Sequence, residues 1–203
     1  GYFMEYKNQL VLTGAVNDVG EPIRANMEES FRRGIELEAQ TSLTNKLQIG
    51  GNLNVSTNKI ASFTEEVGSW DTSANLSILR ENTDISFSPN LIGALILGYK
   101  VNNNWMFQAN TKYVSKQYLD NTQSDDRSLP AFTVVNASAS YTADSLIGTK
   151  SFSFGVYLNN LLDAKYAPLG YTYSGVLAVQ RSDFNYVFPM AGRNVMVKAS
   201  IRL

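Results

Sequence analysis

In 203 residues this chain carries 17 lysines and arginines against 18 aspartates and glutamates, so a net charge of -1 leaves no electrostatic footprint for DNA or RNA. Only 17% of residues are charged, against about a quarter in ordinary soluble domains, and strand- and turn-forming Asn, Ser, Thr, Gly and Tyr take their place. Cysteine and histidine are both absent, which removes disulfides, thiolate or imidazole metal sites and the Ser-His and Cys-His pairs of most hydrolases.

The opening GYFMEYKNQL has no basic segment followed by an apolar run, so no signal peptide is read in it. No window approaches about 18 uncharged apolar residues, which excludes a membrane-spanning helix but not a membrane-spanning strand.

Taken in chain order, the sequence alternates with period two. YFMEYKNQLVL puts Tyr2, Met4, Tyr6, Leu10 and Leu12 on one face of a strand over 2–13. A second strand over 29–43 sets Phe31, Ile35, Leu37, Ala39 and Leu43 against Arg32, Glu36, Glu38, Gln40 and Ser42. The third, 46–60, opposes Leu47, Ile49, Leu53 and Val55 to Gln48, Asn52, Asn54 and Ser56, and the fourth, 84–101, is apolar on both faces through LIGALILGYKV. The strand over 105–117 sets Trp105, Phe107, Ala109 and Tyr113 against Gln108, Asn110 and Lys112. Those over 131–143 and 151–162 repeat the pattern with Val135, Ala137, Ala139 and Tyr141, then with Phe152, Phe154, Val156 and Leu158. In the last, 190–203, Val195, Val197, Ala199, Ile201 and Leu203 alternate with Met196, Lys198, Ser200 and Arg202.

Eight strands result, joined by short turns at 44–46, 102–104 and 143–150 and by long connections near 14–28, 61–83, 118–130 and 163–189. Short turns on one side and long loops on the other are the pattern of an outer-membrane β-barrel. The prolines at 22, 130, 168 and 189 fall in or beside the long connections, and Pro89 lies near a strand end, so none breaks a membrane-spanning ladder. The apolar faces carry no mid-strand charge, where a Lys or Arg would cost about 2–4 kcal/mol in lipid, and Arg33 sits close enough to a long connection to reach the interface. Tyr2, Tyr6, Tyr99, Trp105, Tyr113 and Tyr141 are placed as an aromatic girdle. A soluble β-sandwich is the competing fold, with shorter strands and no such alternation of loop length.

Several blocks then carry a resemblance: YKNQLVLTGAVNDVGEPIRANMEESFRRGIELEA, TDISFSPNLIGALILGYK, YVSKQYLDNTQSDDRSLPAF and, most specific, NNLLDAKY followed by AGRN and a terminal strand. Over essentially its whole length the chain resembles the C-terminal barrel portion of a TonB-dependent outer-membrane receptor of the Bacteroidetes type. It ends in Leu203 where that family often has an aromatic residue. The resemblance implies an all-β fold, an antiparallel transmembrane barrel whose eight strands here are the last part of a plugged barrel of about 22 strands. Residues 1–203 would be barrel alone, with no plug domain. It further implies a cell outer membrane location in a Gram-negative bacterium and active uptake of a scarce solute. An iron-siderophore leads on family grounds, ahead of a vitamin or a glycan. The lipid bilayer, the plug, the remaining strands, the TonB complex and a small-molecule ligand are then the partners; nucleic acid is not one, and no cofactor and no enzyme activity are expected.

On this reading the loop aromatics Trp70, Tyr118, Tyr171, Tyr173 and Tyr186 are candidates for binding substrate, since Tyr and Trp bring rigid contact area with a polar tip. Aromatics that merely pack their own loops explain them equally well. Arg32, Glu36, Glu38, Gln40, Lys112, Lys198 and Arg202 face the lumen, where plug contact or plain solvation suits them. Asp120, Asp125 and Asp126 invite a calcium site, but their spacing matches no EF-hand loop and a solvated acidic loop is the plainer reading. The rival function is a self-contained eight-stranded barrel serving as anchor or adhesin, whose narrow interior the Gly, Ser and Asn of the wet face would fill poorly. An outer-membrane hydrolase, lacking a histidine base, is a weaker third.

Overall fold

The computed structural model describes residues 1–17, 19, 21–71, 75–144, 148 and 150–202, without the side chains of 12–16 and 22. Thirteen strands follow one another: β1 (Tyr2–Val16), β2 (Pro22–Ser42), β3 (Leu47–Val67), β4 (Leu76–Asp84), β5 (Leu91–Lys100), β6 (Trp105–Val114), β7 (Gln117–Tyr118), β8 (Ser128–Leu129), β9 (Phe132–Asp144), β10 (Ser151–Asn159), β11 (Leu169–Leu177), β12 (Gln180–Phe188) and β13 (Asn194–Arg202). The main sheet runs β1-β2-β3-β5-β6-β9-β10-β13, with β4 paired to β3 alone. Its neighbours are antiparallel throughout. The eight strands of this path are the eight read from the alternation, and the fold is all-β.

Register shows why the alternation is so strict. One cross-strand row runs Leu47, Tyr99, Phe107, Ala139, Val156 and Val197, and the next runs Thr41, Ile49, Leu97, Ala109, Ala137, Leu158 and Val195. Leu37 is 61% exposed and Val197 60%, so this apolar band has no protein covering it. β5 and β6 are 10 residues each, the length that crosses a bilayer when tilted. The opposite face reads Gln40, Gly50, Ile96, Asn110 and Asn136 in one row and Gln48, Gly98, Gln108, Ser138 and Tyr157 in another.

β1 and β13 lie at opposite ends of the path and do not pair with each other. A self-contained eight-stranded barrel would need that pairing to hide its edge amides from lipid, and it is not present among the described residues.

The girdle assignment of Tyr2 and Tyr6 is corrected by the pairing of β1 with β2. Tyr2 lies opposite Gly34 and Tyr6 opposite Ser30, on the Arg32 face, while Phe3 lies opposite Arg33 on the apolar side. Gly34 is needed there, because the Val55 backbone carbonyl lies 2.6 Å from where a Cβ would stand, and the Tyr2 hydroxyl fills the space left at 2.7 Å. The Tyr2, Met4, Tyr6 face of β1 carries no charge while Glu5 and Lys7 share the Phe3 face, so the sequence contrast points the wrong way and only the pairing with β2 sets the face. Arg33 does reach along the apolar side, its guanidinium 5.3 Å from the centre of the Phe31 ring.

The long connections are not loops in the main. β2 and β3 each run 21 residues, about 70 Å at the strand rise and more than twice a bilayer's hydrocarbon. The predicted connections 14–28 and 61–83 are therefore largely strand. The predicted strand 84–101 divides, with β4 ending at Asp84 and β5 starting at Leu91, as the ISFSPN turn requires. Beyond Ser30 and Ile60 the sheet forks: β2 keeps β1 as its partner and β3 takes β4. In the fork Val11, Met27, Ile60 and Ile85 form the buried apolar core, with Ala25 and Phe63 against it. The 163–189 connection contains the β11-β12 hairpin.

The NNLLDAKY and AGRN blocks turn out to be the two ends of one clasp beneath that hairpin. Asn160, 3% exposed, donates from its backbone to Asn136 and from Nδ2 to the carbonyls of Ala164 and Ala191, while its Oδ1 accepts from Ala164. Asp163 Oδ1 accepts from the Arg193 amide at 2.8 Å. Both residues have positive φ, 50° and 52°, which Asn and Asp tolerate better than most side chains. Asn160→Ala leaves the part-buried backbone groups of Ala164 and Ala191 without this partner, and about 1–2 kcal/mol is the expected loss in a denaturant titration of the purified protein. Leu162→Ala, on an exposed residue of the same segment, makes the control.

Candidate functional site

The β11-β12 hairpin lies at the end of the long connections, and its two faces differ sharply. On one face the register alternates Leu169 and Phe188, Tyr171 and Tyr186, Tyr173 and Phe184. Tyr171 stacks on Tyr186 with ring centres 5.0 Å apart, and Tyr173 on Phe184 at 5.1 Å, both near parallel. Diagonal contacts of 6.0 Å join Tyr171 to Phe188 and Tyr173 to Tyr186. A hydrogen bond with the Tyr186 hydroxyl raises the Tyr173 phenol above its usual pKa. Trp70 closes the row, 5.8 Å from Phe184 and lying directly over Gly175, where an added Cβ would come within 2.1 Å of the indole. Phe184, Tyr186, Phe188, Leu169 and Trp70 are all exposed. The result is an aromatic ladder, rigid because each ring is held by a cross-strand neighbour.

The other face is polar and tied down. Glu65 on β3 is its centre: Arg80 from β4 donates two hydrogen bonds to Oε2, at 2.9 and 2.7 Å. Arg127, from the 3-10 turn Asp125–Arg127, reaches Oε1 at 3.0 Å, and Arg181 of β12 reaches the same oxygen at 2.6 Å. Arg127 also pairs with Asp120 at 2.5 Å, and Arg181 with Asp183 at 2.8 Å. Burial alone would raise the Glu65 pKa, but the Arg181 and Arg80 hydrogen bonds and the Arg127 charge outweigh it and lower the group from 4.5 to about 2. For Asp120 the balance runs the other way, and burial pushes its carboxyl up in spite of Arg127.

Backbone bonds complete the attachment: Trp70 donates to Val176, Val176 to Gly68, and Ala178 to the Asp71 carboxylate at 2.7 Å. Asn185 Nδ2 donates to the Asp126 carbonyl.

Of the five aromatics singled out in the sequence, the structure brings Trp70, Tyr171, Tyr173 and Tyr186 into this ladder and leaves Tyr118 apart. Tyr118 is 9% exposed, under the Lys116 ammonium at 5.0 Å. Leu169, Phe184 and Phe188 also belong to the ladder; their signal was the period-two spacing of YTY and FNYVF inside a stretch read as loop. The acidic run does not converge, since Asp120 is engaged by Arg127 and Thr122 while Asp125 pairs with Lys116. Among the described residues no group of three or more acidic side chains is placed to hold a metal ion. Register sets Glu36, Glu38, Gln40, Lys112, Lys198 and Arg202 with Arg32 on the face opposite the apolar band. Arg32 there donates to Asn58 and Ser88, and Glu36 accepts from Asn54.

With an apolar-banded barrel wall and outer hairpins established, comparison with known proteins decides the family. The sequence profile of the family described as TonB dependent receptor-like, beta-barrel matches residues 1–161. The chain belongs to the TonB-dependent receptor-like β-barrel family. Among solved structures, this receptor barrel is similar to the ferric yersiniabactin uptake receptor of Yersinia pestis, with a TM-score of 0.63, 15% identity and coverage of 97% of this chain and 26% of that one. The closed form of the ferric-catecholate import receptor of E. coli K12 superposes with a TM-score of 0.60 at 14% identity, covering 97% and 23%. A copper transporter gives 0.62 at 15% identity, covering 97% and 28%. The chain thus spans about a quarter of the length of these receptors. No curated protein matches it in sequence.

Proposed function

We propose that the protein is an outer-membrane uptake receptor of a Gram-negative bacterium, and that these residues form the last portion of its barrel. Its extracellular β11-β12 hairpin captures the solute on the aromatic ladder. Uptake then draws on the TonB complex through a plug domain that rests on the inward face carrying Arg32, Glu36, Glu38, Gln40, Lys112, Lys198 and Arg202. The observation that carries this reading is the ladder itself. Exposed, mutually stacked rings fixed to the barrel wall by a three-arginine clamp on Glu65 are costly to leave in water unless they meet a ligand.

A ferric chelate is the favoured solute. Two of the three structures compared are receptors for ferric chelates. The ladder also offers phenol hydroxyls and ring faces but no ionised side chain, which suits a ligand whose charge is masked by chelation. The copper transporter of similar fold shows that the barrel wall by itself does not select a ligand. The receptor is not an enzyme on this reading, and it needs no resident cofactor.

The test is uptake of radio-iron from a panel of ferric catecholates and hydroxamates by iron-starved cells producing the full receptor. Accumulation that stops when a protonophore collapses the inner-membrane gradient supports the proposal. Binding and uptake of a vitamin or oligosaccharide in place of every ferric chelate would contradict the assignment of solute.

A further inference from the structure

Arg33 lies on the apolar side of the wall and has no polar partner there. Among the described residues it makes no hydrogen bond and no ion pair, and its guanidinium stands over the Phe31 ring. A ring face attracts the cation and holds it in place, but leaves its N–H donors unused. The register neighbours of Arg33 are Phe3 on β1 and Thr57 on β3, neither of them acidic. Its charged diagonal neighbours, both opposite Phe31, are Glu5 and Lys59. Lys59 is held by Asp84 at 2.8 Å, and no ion pair joins Glu5 to Arg33 among the described residues. The Thr57 hydroxyl likewise has no hydrogen bond among them. Position matters as much as pairing. On β2 the outward face from Ile35 to Leu43 covers nine residues, the length that crosses a bilayer when tilted, and Arg33 is the next outward residue beyond it. Phe3, Ile35 and Val55 around it are 62%, 58% and 50% exposed. Together with Arg33 and Thr57 they line an open depression of about 420 Å³.

We infer that this depression binds a phosphate-bearing lipid of the adjoining leaflet, with its phosphate on Arg33 and Thr57 and an acyl chain along Phe3, Ile35 and Val55. A guanidinium meets phosphate through two parallel N–H donors, and the Thr57 hydroxyl adds a third from the neighbouring strand. The ligand is an anion because no carboxylate of the wall engages Arg33. It carries an apolar chain because three exposed apolar side chains share the depression with the two donors. A free phosphate ion would use the donors and leave those side chains bare. The level of Arg33, one step past the apolar span of β2, is where lipid head groups meet a membrane wall. The inference rests on the membrane reading of the wall and not on which solute the ladder captures.

The probe is phosphatidic acid with a diazirine in one acyl chain, dilute in phosphatidylcholine nanodiscs that hold the full-length receptor, with adducts mapped by mass spectrometry after illumination. Peptides bearing Phe3, Ile35 and Val55 should be labelled about tenfold more than by phosphatidylcholine carrying the same modified chain. Arg33→Gln should bring the two lipids to the same level. Thr57→Val, which keeps the shape and removes the hydroxyl, should lower the phosphatidic acid signal about fivefold, and it gives the reading if the glutamine variant does not assemble. Equal labelling by the two lipids in the wild type, or an undiminished preference in either variant, would overturn the inference. So would suppression of the adducts by inorganic phosphate, which would mark a site for the free anion. Leu97 and Val197 should be labelled by both lipids alike and report the membrane reading separately. Silence there is the failure of that reading, and signal there with no preference at Arg33 is the failure of this inference alone.

Discussion

Replacing Glu65 by glutamine is expected to release the β11-β12 hairpin while leaving the barrel wall assembled. Three arginines from three separate segments converge on that one carboxylate, and Arg127 is itself 3% exposed. Removing the negative charge takes from Arg80 its carboxylate and leaves Arg127 and Arg181 with Asp120 and Asp183 alone, a loss of about 3 kcal/mol, at the low end for breaking a buried pair. The loss stays local because the hairpin pairs with no strand of the main sheet. Proteolysis between β10 and β13 should accelerate in Glu65→Gln, while heat-modifiable migration of the barrel remains unchanged. The same carboxylate gives a pH signature. Its folded pKa of about 2 lies below the ordinary 4.5, so its contribution is fully present above about pH 4.5 and disappears as pH falls towards 2, on the order of 3 kcal/mol in all. Hairpin release followed by Trp70 fluorescence should therefore titrate in that acid window in the wild type, and Glu65→Gln should abolish the transition. A release midpoint at or above pH 6 would contradict the clamp.

Leu97→Arg is expected to cost about 2–4 kcal/mol of folding free energy in lipid, and Gln108→Arg less than about 0.5. The two positions lie on adjacent strands, Leu97 opposite Ala109 and Gln108 opposite Gly98, and differ in which face of the wall they occupy. An arginine at Leu97 enters the apolar row between Ile49 and Ala109, where no water is available to solvate it in a bilayer. An arginine at Gln108 joins a polar row on the inward side. Urea titration of the full receptor in phospholipid vesicles measures both; equal costs would mean that the apolar band does not meet lipid.

How much of this was legible in the sequence depends on how local the deciding physics is. The apolar band from Leu37 to Val197 was legible because burial in lipid imposes period two residue by residue. Tyr2 and Tyr6 were misplaced because the uncharged Tyr2, Met4 and Tyr6 alternate with Glu5 and Lys7 as a lipid face would, and only pairing with Gly34 and Ser30 sets the face. The outer parts of β2 and β3 read as loops because a hairpin standing in water or against another hairpin has no uniform apolar side. The clamp was illegible for a different reason: residues 65, 80, 127 and 181 are brought together only by the fold. NNLLDAKY and AGRN were visible as a family mark, and the bonds of Asn160 and Asp163 across the base of the hairpin supply their physical reason.

The most direct measurement is equilibrium binding of a ferric tris-catecholate to the full receptor and to its Tyr171→Ala, Tyr173→Ala and Tyr186→Ala triple variant, by calorimetry in detergent. Each lost ring contact is worth about 1–2 kcal/mol at a binding surface, so the triple variant should bind at least about a hundredfold more weakly with its fold intact. Unchanged affinity in that variant would contradict capture on the aromatic ladder.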